Sequence, residues 1–528
     1  MALSLSNRDQ SSGHLFYNRR LRAATTRFSV RMKHDDRKQT GAMMVSVFFV
    51  LLGIAWCVMS GYLKPQGVAG NSAIIGDRDN GALYARIDGK LRPAQNLVSA
   101  ELAIGHASAV TWVKPAEIDK YPHGPMVGIP GAPVAMVVNT GAPSAWAVCD
   151  TAGSARSGDK TVVTAIAGPL SRAGRAAPMT GDTAVLATFG GGTYAIWGGK
   201  RSQVDPADRA VTSSLGIDPA VTVPVTMSRA LFDAMPSTEP LRVPEVPQAG
   251  QDSKWLPGSP IGTVLQAQTT SGGTQFYVLL ADGVQKINSF VADLLRSANS
   301  YGAAAPRQVS PDVLVKTPLV TTLPVDYYPT GRLKFVDTVA NPTTCVGWEK
   351  APSDPQARVT VYNGRGLPVS AGLDDRVVNL VRDDRDPASV EADKVLMLPG
   401  ATNFVASTSA VLDARSHESL FWVSTEGVRY GIAGDDKSVE ALGLSVQRAQ
   451  QAPWPLLRVW AAGPELSRTA ALRERDTVPT GGIVRVLDDS APGAQGAPAA
   501  GPPPPPVGSD SPAGGDAPAP APAPAAGS

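Results

Sequence analysis

The amino-acid sequence predicts an α+β, single-pass membrane protein whose β-rich extracytoplasmic region has four hairpin-plus-helix repeats around a central domain, with pseudo-two-fold symmetry. Three observations support this prediction. One apolar stretch near the N-terminus is long enough to cross a bilayer. Four segments each combine two short apolar or aromatic runs, a glycine turn and a helical pattern. Two cysteines, each within three residues of a tryptophan, lie between the first and second and between the third and fourth of these segments.

The apolar stretch at residues 41–63 contains no charged residue. At about 1.5 Å per residue it reaches roughly 34 Å, which exceeds a hydrocarbon core of about 30 Å. A cleavable signal peptide has a shorter apolar core and a small-x-small cleavage site, whereas this run ends in Tyr62 and Leu63. A lipoprotein signal needs a small residue before its cysteine, but Trp56 precedes Cys57. The stretch is therefore predicted to be a transmembrane helix.

The charges on either side of this helix predict its orientation. Residues 1–40 hold nine Lys and Arg against three acidic residues, so the positive-inside rule predicts a cytoplasmic N-terminus. The rest of the chain keeps 39 of the 48 basic and 43 of the 46 acidic residues. This slightly acidic remainder has no basic patch that would indicate nucleic acid binding.

The segment before the helix is a basic arm with an apolar pattern. Arginines alternate with apolar residues near helical spacing across residues 10–32. Such an arm can lie on an anionic leaflet or dock to a protein partner. The basic residues can equally have the sole role of setting the orientation of the transmembrane helix, and the pattern does not decide between these interpretations.

The four predicted repeats each contain a tight turn between two strands. The turns are predicted at Asp88-Gly89, Gly198-Gly199, Asp282-Gly283 and Glu426-Gly427. A helical stretch follows each hairpin, with predicted N-caps for the last three helices at Asp205, Ser289 and Asp435.

The order of these repeats relative to the cysteines predicts a duplication. Gly89 precedes Cys149 by 60 residues, and Gly283 precedes Cys345 by 62. Because Cys57 lies in the apolar stretch, Cys149 and Cys345 are the two cysteines outside the membrane, and they are expected to pair in an oxidising compartment. Two buried free thiols remain the alternative.

These observations divide the chain into ten segments. They are the cytoplasmic arm (1–40), the transmembrane helix (41–63), a linker (64–80), repeat 1 (81–130), the first part of the central domain (131–180), repeat 2 (181–250), repeat 3 (251–325), the second part of the central domain (326–410), repeat 4 (411–480) and a Pro/Ala-rich tail (481–528). The composition of the tail predicts disorder.

No motif predicts a catalytic, metal or cofactor site. The nearest matches to a Walker A loop are Gly89-Lys90 and Gly199-Lys200, where Tyr84 and Tyr194 replace the first glycine. The glycine-rich segment 189–199 lacks the strand-loop-helix context of a phosphate site. The five histidines have no metal-ligand spacing, and a nucleophile elbow is absent.

Two further segments have a structural and a functional interpretation. The charged cluster at 382–387 could bind calcium, but its arginines favour a solvated turn. Trp454 and Trp460, beside prolines, could form a ligand platform, but a packed closing strand is favoured.

The arm and several ectodomain stretches resemble the EccB family, a membrane component of mycobacterial type VII (ESX) secretion systems. The segment "QSSGHLFYNRR" is similar to the family signature Q-x-[ST]-G-x-x-F-x-x-R-R, matched by Gln10, Ser12, Gly13, Phe16, Arg19 and Arg20. The stretches at 77–105, 124–133, 227–236 and 241–250 also resemble the family, and the similarity runs from about residue 10 to about residue 480. Cys149 and Cys345 fall where the family's disulfide is expected.

The resemblance implies a structural core component of the ESX inner-membrane complex that helps proteins cross the mycobacterial envelope. Its implied partners are the EccC motor ATPase, EccD, EccE, a mycosin protease and further EccB copies, with the arm as the docking element. An ATPase activity has also been attributed to the family, so a nucleotide hydrolase is one alternative function. An envelope-binding or peptidoglycan-binding module is the other.

Overall fold

The structure is a computed structural model, and it describes residues 8–28, 33–63, 67–140, 143–153, 160–218, 221–269, 272–381, 389–415 and 418–477. The chain divides into two units, residues 1–481 and 482–528, and all described residues belong to the first. The predicted tail and the charged cluster at 382–387 lie outside the described residues.

Two helices precede the folded region: α1 (Arg8–Arg27) and α2 (Lys33–Leu63). Within α2, the 20 residues Thr40–Met59 are long and apolar enough to cross a membrane. The predicted apolar stretch therefore forms the C-terminal part of a longer helix. The predicted pattern of the arm does not continue to Met32 as one helix, because α1 ends at Arg27 and Phe28 has a φ of 50°.

The first folded module (residues 74–127) is a five-strand sheet with two helices. Its strands β1, β2 and β3 form an antiparallel meander, β4 pairs parallel with β1, and β5 pairs parallel with β3. In chain order its elements are β1 (Ile74–Asp77), β2 (Leu83–Ile87), β3 (Lys90–Ala94), α3 (Leu97–Ile104), β4 (Thr111–Val113), α4 (Pro115–Ile118) and β5 (Met126–Val127).

Three strands of the central domain follow: β6 (Ser144–Thr151), β7 (Val162–Ala167) and β8 (Ala176–Pro178). Module 2 (residues 183–241) then contains β9 (Thr183–Phe189), β10 (Gly192–Trp197), β11 (Lys200–Val204), α5 (Arg209–Leu215), β12 (Val225–Thr226) and α6 (Arg229–Ala234). Its last segment bridges β11 in parallel at Ser237 and Leu241. The order of elements and the strand directions match those of module 1.

Module 3 (residues 264–319) repeats this order. It contains β13 (Val264–Gln268), β14 (Thr274–Leu279), β15 (Val284–Ile287), α7 (Ser289–Ala298), β16 (Arg307–Gln308) and α8 (Pro311–Lys316). The chain then forms β17 (Lys334–Phe335), which pairs parallel with β9 of module 2. Four strands of the central domain follow: β18 (Thr343–Lys350), β19 (Arg358–Gly364), β20 (Val378–Asn379) and β21 (Lys394–Met397).

Module 4 (residues 404–466) has the same arrangement of three antiparallel strands and two flanking parallel strands. It contains β22 (Phe404–Thr408), β23 (Leu420–Val423), β24 (Val428–Ile432), α9 (Asp436–Ala441), β25 (Gln450–Pro453), α10 (Trp454–Leu457) and β26 (Ala461–Ala462). The chain then forms α11 (Arg468–Ala471) and β27 (Glu474–Arg475), and β27 pairs with β5 at the edge of module 1.

A hairpin followed by a helix is thus present in each of the four segments in which the sequence predicts one. The sequence did not predict the strands that flank each hairpin. The first strand of module 1 begins at Ile74, inside the predicted linker, and that of module 4 begins at Phe404, inside the predicted central domain. The descent of the modules from one duplicated half stays a prediction.

The four turns are of two kinds. Asp88-Gly89 and Gly198-Gly199 are two-residue turns with positive φ at both positions, as a type I′ turn requires. Gly427 also has a positive φ, of 93°, but in a longer loop. Gly283 does not have a positive φ, so its turn is not the tight glycine turn that the sequence predicts. A Cβ at Gly283 would lie 2.2 Å from the carbonyl oxygen of Pro318, so close packing requires the glycine.

Two of the predicted helix caps were wrong. Asp208 caps α5 and accepts the N–H groups of Ala210 and Val211, whereas Asp205 accepts the N–H of Ala207 in the preceding turn. Asn288 caps α7, and Ser289 is the first residue of that helix. Asp435 caps α9 as predicted, by accepting the N–H of Ser438.

The central domain is a seven-strand sheet in the order β20-β21-β7-β6-β18-β19-β8. Its middle strands, β6 and β18, come from opposite halves of the chain and pair antiparallel over eight residues. The halves also exchange edge strands: β8 of the first half pairs with β19, and β21 of the second pairs with β7. Because β8 is antiparallel and β21 parallel to its partner, the edges of the sheet depart from two-fold symmetry.

Side chains alternate between the two faces of this sheet and fill two cores. Trp146 and Trp348 face modules 2 and 4, in one core with α6 and α10. Cys149 and Cys345 face the opposite side, where Tyr362 and Leu396 pack with them. The modules also pack in pairs, with α3 against α9 and α11, and α5 against α7. Modules 1 and 4 therefore share one core, and modules 2 and 3 share another.

Candidate functional site

The predicted docking residues of the arm all lie on α1, and the described ones are exposed. At about 100° per residue, five of the six project within an arc of about 120° of the helix, and Gln10 lies outside that arc. Phe16, which is 53% exposed, lies at the centre of this face. The five residues of the face are Ser12, Gly13, Phe16, Arg19 and Arg20.

The remaining apolar residues of the arm do not form one stripe on α1. Leu15 and Leu21 project from different sides of the helix, because six positions correspond to about 240° of rotation. Phe28 lies beyond the end of α1 and is 97% exposed. The apolar residues that recur near helical spacing in the sequence of the arm therefore do not share one face of α1.

The structure contains the disulfide between Cys149 and Cys345. The two cysteines lie directly opposite each other on β6 and β18, with a Cα–Cα distance of 3.9 Å, and both are fully buried. The bond closes a loop of 196 residues, and the loss of chain entropy in the unfolded state corresponds to about 5 kcal/mol of stabilisation at most. Trp146 and Trp348 also lie opposite each other in this pair of strands. The disulfide thus fastens the two halves of the chain at their common sheet.

A buried carboxylate beside the disulfide joins the central sheet to module 2. Asp150, 4% exposed, accepts the N–H of Ser228 at 2.6 Å and its hydroxyl at 2.7 Å. Ser228 in turn caps α6 by accepting the N–H of Leu231 at 3.0 Å. Burial raises the pKa of Asp150 to about 7, and the nearby carboxylate of Asp393 adds to the rise, although the bonds from Ser228 oppose it.

A small cavity lies next to this carboxylate. It has a volume of about 10 Å³, and its lining includes Asp150, Met227 and Thr344. This volume suffices for about one water molecule and not for a nucleotide.

An ion pair connects the short helices of modules 2 and 4. The carboxylate of Asp233 on α6 accepts the Nε–H of Arg229 at 2.5 Å on the same helix. It also accepts a hydrogen bond from the guanidinium of Arg458, which follows α10. Asp233 and Arg458 are mostly buried, so the low polarity around them strengthens the pair.

The glycine-lysine pairs that resemble a phosphate loop lie in hairpin turns. Gly89-Lys90 joins β2 to β3, and Gly199-Lys200 joins β10 to β11. In the glycine-rich segment 189–199, Gly190 and Gly191 form the preceding turn, between β9 and β10. A phosphate loop needs backbone N–H groups converging at the start of a helix, and none of these turns is followed directly by one.

No group of three or more metal-binding side chains occurs among the described residues. His123 packs edge-on against Tyr84 with ring centroids 6.0 Å apart, and His106 is exposed. His417 lies outside the described residues.

The segment around Trp454 and Trp460 is not the predicted closing strand. Trp454 begins the short helix α10, because Pro455 has the fixed φ that suits the first turn of a helix. Trp460 is fully buried and packs edge-on against Trp146, with ring centroids 5.7 Å apart. Trp454 is 39% exposed and packs against Phe421.

Sequence analysis missed a proline that three modules share. In each of these modules a proline follows the short second helix, and its carbonyl oxygen accepts an N–H from the third strand of the meander. The pairs are Pro122 with Leu91, Pro236 with Arg201 and Pro318 with Val284, each at 2.8 Å. A proline at this fixed place after each hairpin is a signal from which the flanking parallel strand could have been predicted.

Comparison with known proteins extends over nearly the whole chain. A family model described as the type VII secretion system ESX-1 transport TM domain B matches residues 3–480. The ESX-2 secretion system ATPase EccB2 of Mycobacterium tuberculosis (strain ATCC 25618 / H37Rv) is 69% identical over 491 residues, which cover 93% of this chain and 99% of that protein. The ESX-5 secretion system ATPase EccB5 of Mycobacterium marinum (strain ATCC BAA-535 / M) is 40% identical over 485 residues, covering 90% and 95%.

Solved structures share the fold. A chain of the intact ESX-5 inner membrane complex is 38% identical with a TM-score of 0.72, and the match covers 92% of this chain and 99% of that one. A chain of the periplasmic assembly of the ESX-5 complex is 39% identical with a TM-score of 0.70, covering 80% and 100%. The EccB3 dimer from the ESX-3 core complex is 37% identical with a TM-score of 0.66, covering 76% and 100%.

Proposed function

Because the chain belongs to the EccB family of type VII secretion components, we propose that it acts as a scaffold of an ESX inner-membrane complex and supports protein export. It is a core component of such a complex. It lies in the inner membrane with most of its residues in the periplasm, and it assembles with other copies of its kind. The observation that carries the scaffold role is the apolar segment Thr40–Met59, the one candidate membrane span among the described residues, which separates a short basic arm from a large folded region.

The orientation of the chain follows from its charges. We infer that the arm is cytoplasmic, since nine of the first 40 residues are basic and three are acidic. This orientation puts the disulfide in the oxidising periplasm, where such bonds persist.

We infer that the arm docks to cytoplasmic or membrane-embedded partners. Its exposed face combines the aromatic ring of Phe16 with the guanidinium groups of Arg19 and Arg20. Buried aromatic and arginine side chains dominate the binding energy of many protein interfaces. The partners that we propose for the complex are the EccC motor ATPase, EccD, EccE and a mycosin protease.

Co-purification tests this role. The tagged full-length protein, extracted in mild detergent, should recover a motor ATPase and a multi-span partner in stoichiometric amounts. The double variant Phe16→Ala/Arg19→Ala should lose most of this recovery. The double variant Leu21→Ala/Arg22→Ala is the matched control, because it removes one apolar and one basic side chain from another side of α1. Equal recovery with both variants would refute the docking role of this face.

Nucleotide hydrolysis is the second candidate function, because the curated relatives are named ATPases. In the part of the chain that the structure describes, the glycine-lysine pairs are hairpin turns, so we attribute any hydrolysis in the complex to the motor. ATP hydrolysis by the isolated, monomeric chain would contradict this attribution. Retention of the protein on purified cell wall would instead support an envelope-binding role, which is compatible with a scaffold.

A further inference from the structure

Trp112 is an exposed aromatic side chain on the edge of module 1. It is the middle residue of β4, the outermost strand on that side of the sheet, and it is 43% exposed. Its indole ring covers Gly76 on the neighbouring strand, where a Cβ would lie 2.5 Å from a ring carbon. The indole ring of Trp112 therefore packs directly on the backbone of Gly76, which holds the ring at the edge of the sheet.

The chain that leaves the membrane helix passes along this edge. A Cβ at Gly67 would lie 2.5 Å from the carbonyl oxygen of Trp112, so the segment that leads into module 1 contacts β4 directly. The next residue, Val68, is 61% exposed. Together, Val68, Trp112 and the exposed Lys114 form what we call the tethered edge.

The length of the connecting chain limits how far the tethered edge can lie from the bilayer. The apolar segment ends at Met59, and α2 ends four residues later at Leu63. This helical extension rises about 6 Å, which corresponds to the depth of one headgroup region. Gly67 is four residues beyond Leu63, so their Cα atoms are at most about 14 Å apart.

The side chains of the tethered edge have the chemistry of a membrane interface. Tryptophan concentrates at the headgroup level, since its ring is apolar and its indole N–H is polar. A lysine beside it suits phosphate headgroups. The corresponding edge strand of module 3, which in the described chain follows module 2 and not a membrane helix, presents the polar Arg307 and Gln308 instead.

We propose that the tethered edge of module 1 docks on the headgroup region of the lipid bilayer that α2 crosses, with the indole ring of Trp112 as the inserted side chain. The contact gives the folded region a second attachment to the membrane beside α2. Two points of attachment fix the tilt of module 1 relative to the bilayer, which one point of attachment cannot do. The proposal depends on α2 spanning the membrane and not on the direction in which it spans.

Photo-cross-linking in proteoliposomes tests the proposal. The full-length protein carries p-benzoylphenylalanine in place of Trp112 and is reconstituted in phosphatidylethanolamine and phosphatidylglycerol. Irradiation should give lipid adducts detectable by mass spectrometry. The same probe in place of Val315, which is 86% exposed on module 3, is the control and should give at least tenfold fewer adducts. Adducts to protein alone at position 112, or equal lipid labelling at both positions, would overturn the proposal.

A measurement with the natural side chain avoids the risk that the probe disturbs folding. In a Trp56→Phe background, vesicles of lipids brominated near the headgroup should quench part of the tryptophan fluorescence. The additional change Trp112→Phe should remove most of that quenched fraction while leaving the thermal midpoint of the folded region nearly unchanged. Quenching that persists in full after Trp112→Phe would contradict insertion of this ring.

Discussion

Arg201 and Arg429 occupy the same place in modules 2 and 4, two residues after the turn glycine. The Nε–H of Arg201 donates to the carbonyl of Phe232 at 3.0 Å, and that of Arg429 donates to the carbonyl of Trp460 at 3.1 Å. Each guanidinium also lies over an aromatic ring of the short helix, Phe232 in module 2 and Trp454 in module 4. The position is Leu91 in module 1 and Gln285 in module 3, so the arginine distinguishes the second module of each half from the first.

We expect Arg429→Lys to destabilise the folded protein by about 1–2 kcal/mol. Lysine keeps the charge but loses both the directed Nε–H bond and the planar stacking surface. Chemical denaturation of the full-length protein in detergent, followed by intrinsic fluorescence, measures the change. The exposed Arg209→Lys is the control and should have little effect. Equal stability of the two variants would show that the stacked guanidinium contributes nothing.

Asp150 should make the protein more stable in mild acid than in mild base. Its pKa in the folded state, about 7, is above the ordinary value of 3.8, so between these values the folded state binds more protons than the unfolded state. The free energy of unfolding therefore falls as pH rises through this range, on the order of 2 kcal/mol between pH 5 and 8. Thermal midpoints of wild type and Asp150→Asn at both pH values measure it.

The comparison isolates Asp150 from groups that titrate in the opposite direction. The pKa of Asp182 is lowered to about 2 by a hydrogen bond from Lys334, and this pair is present in both proteins. We expect Asp150→Asn to gain stability at pH 8 relative to wild type, since its amide oxygen can accept the N–H of Ser228 and its NH2 can donate to the Oγ of Ser228 without a charge being buried. An unchanged pH profile in the variant would contradict the raised pKa.

Loss of the disulfide should weaken the attachment between the two halves. We expect the double variant Cys149→Ala/Cys345→Ala to lose about 3–5 kcal/mol of unfolding free energy, because the unfolded chain is no longer constrained by the closed loop. Non-reducing electrophoresis and chemical denaturation with and without reductant provide the measurement. Cys57→Ser, in the membrane helix, is the matched control and should keep the response to reductant.

Replacement of two turn glycines by alanine should destabilise the folded protein to different extents. Gly89 has a φ of 73° and open space around its Cβ position, so Gly89→Ala should cost about 1 kcal/mol from backbone strain alone. At Gly283 a Cβ would clash with the carbonyl oxygen of Pro318, which accepts the N–H of Val284. We expect Gly283→Ala to cost more than 2 kcal/mol, because the parallel bridge between these segments must open. Thermal denaturation that ranks Gly89→Ala as the more harmful change would refute this explanation.

The sequence predicts the hairpins well because their signals are local. A glycine pair such as Gly198-Gly199 between two apolar runs requires only a few residues to form a turn, and the three helix caps lie within three residues of their predicted places. The membrane helix is equally evident, since an apolar run of such length without charged residues is typical of a transmembrane helix.

The flanking strands could not be predicted because they depend on partners far away in the sequence. Strands such as β5 and β16 have two residues each, which is too short for a period-two pattern to appear. Asp150 was missed for a related reason. Its role arises from Ser228, 78 residues later, and the apolar run around it indicates only a buried strand.

Strand β27 imposes an order of events on the folding of the newly synthesised chain. It completes the sheet of module 1, and its Glu474 pairs with Arg92, 382 residues earlier. The N-terminal module emerges first from the translocation machinery, yet its last strand arrives only when almost the entire chain has crossed. Until then the edge of β5 stays open, and the nascent protein depends on its own unfinished length or on chaperones to keep that edge from pairing wrongly. Completion of the first module therefore requires that the chain has been synthesised as far as Arg475.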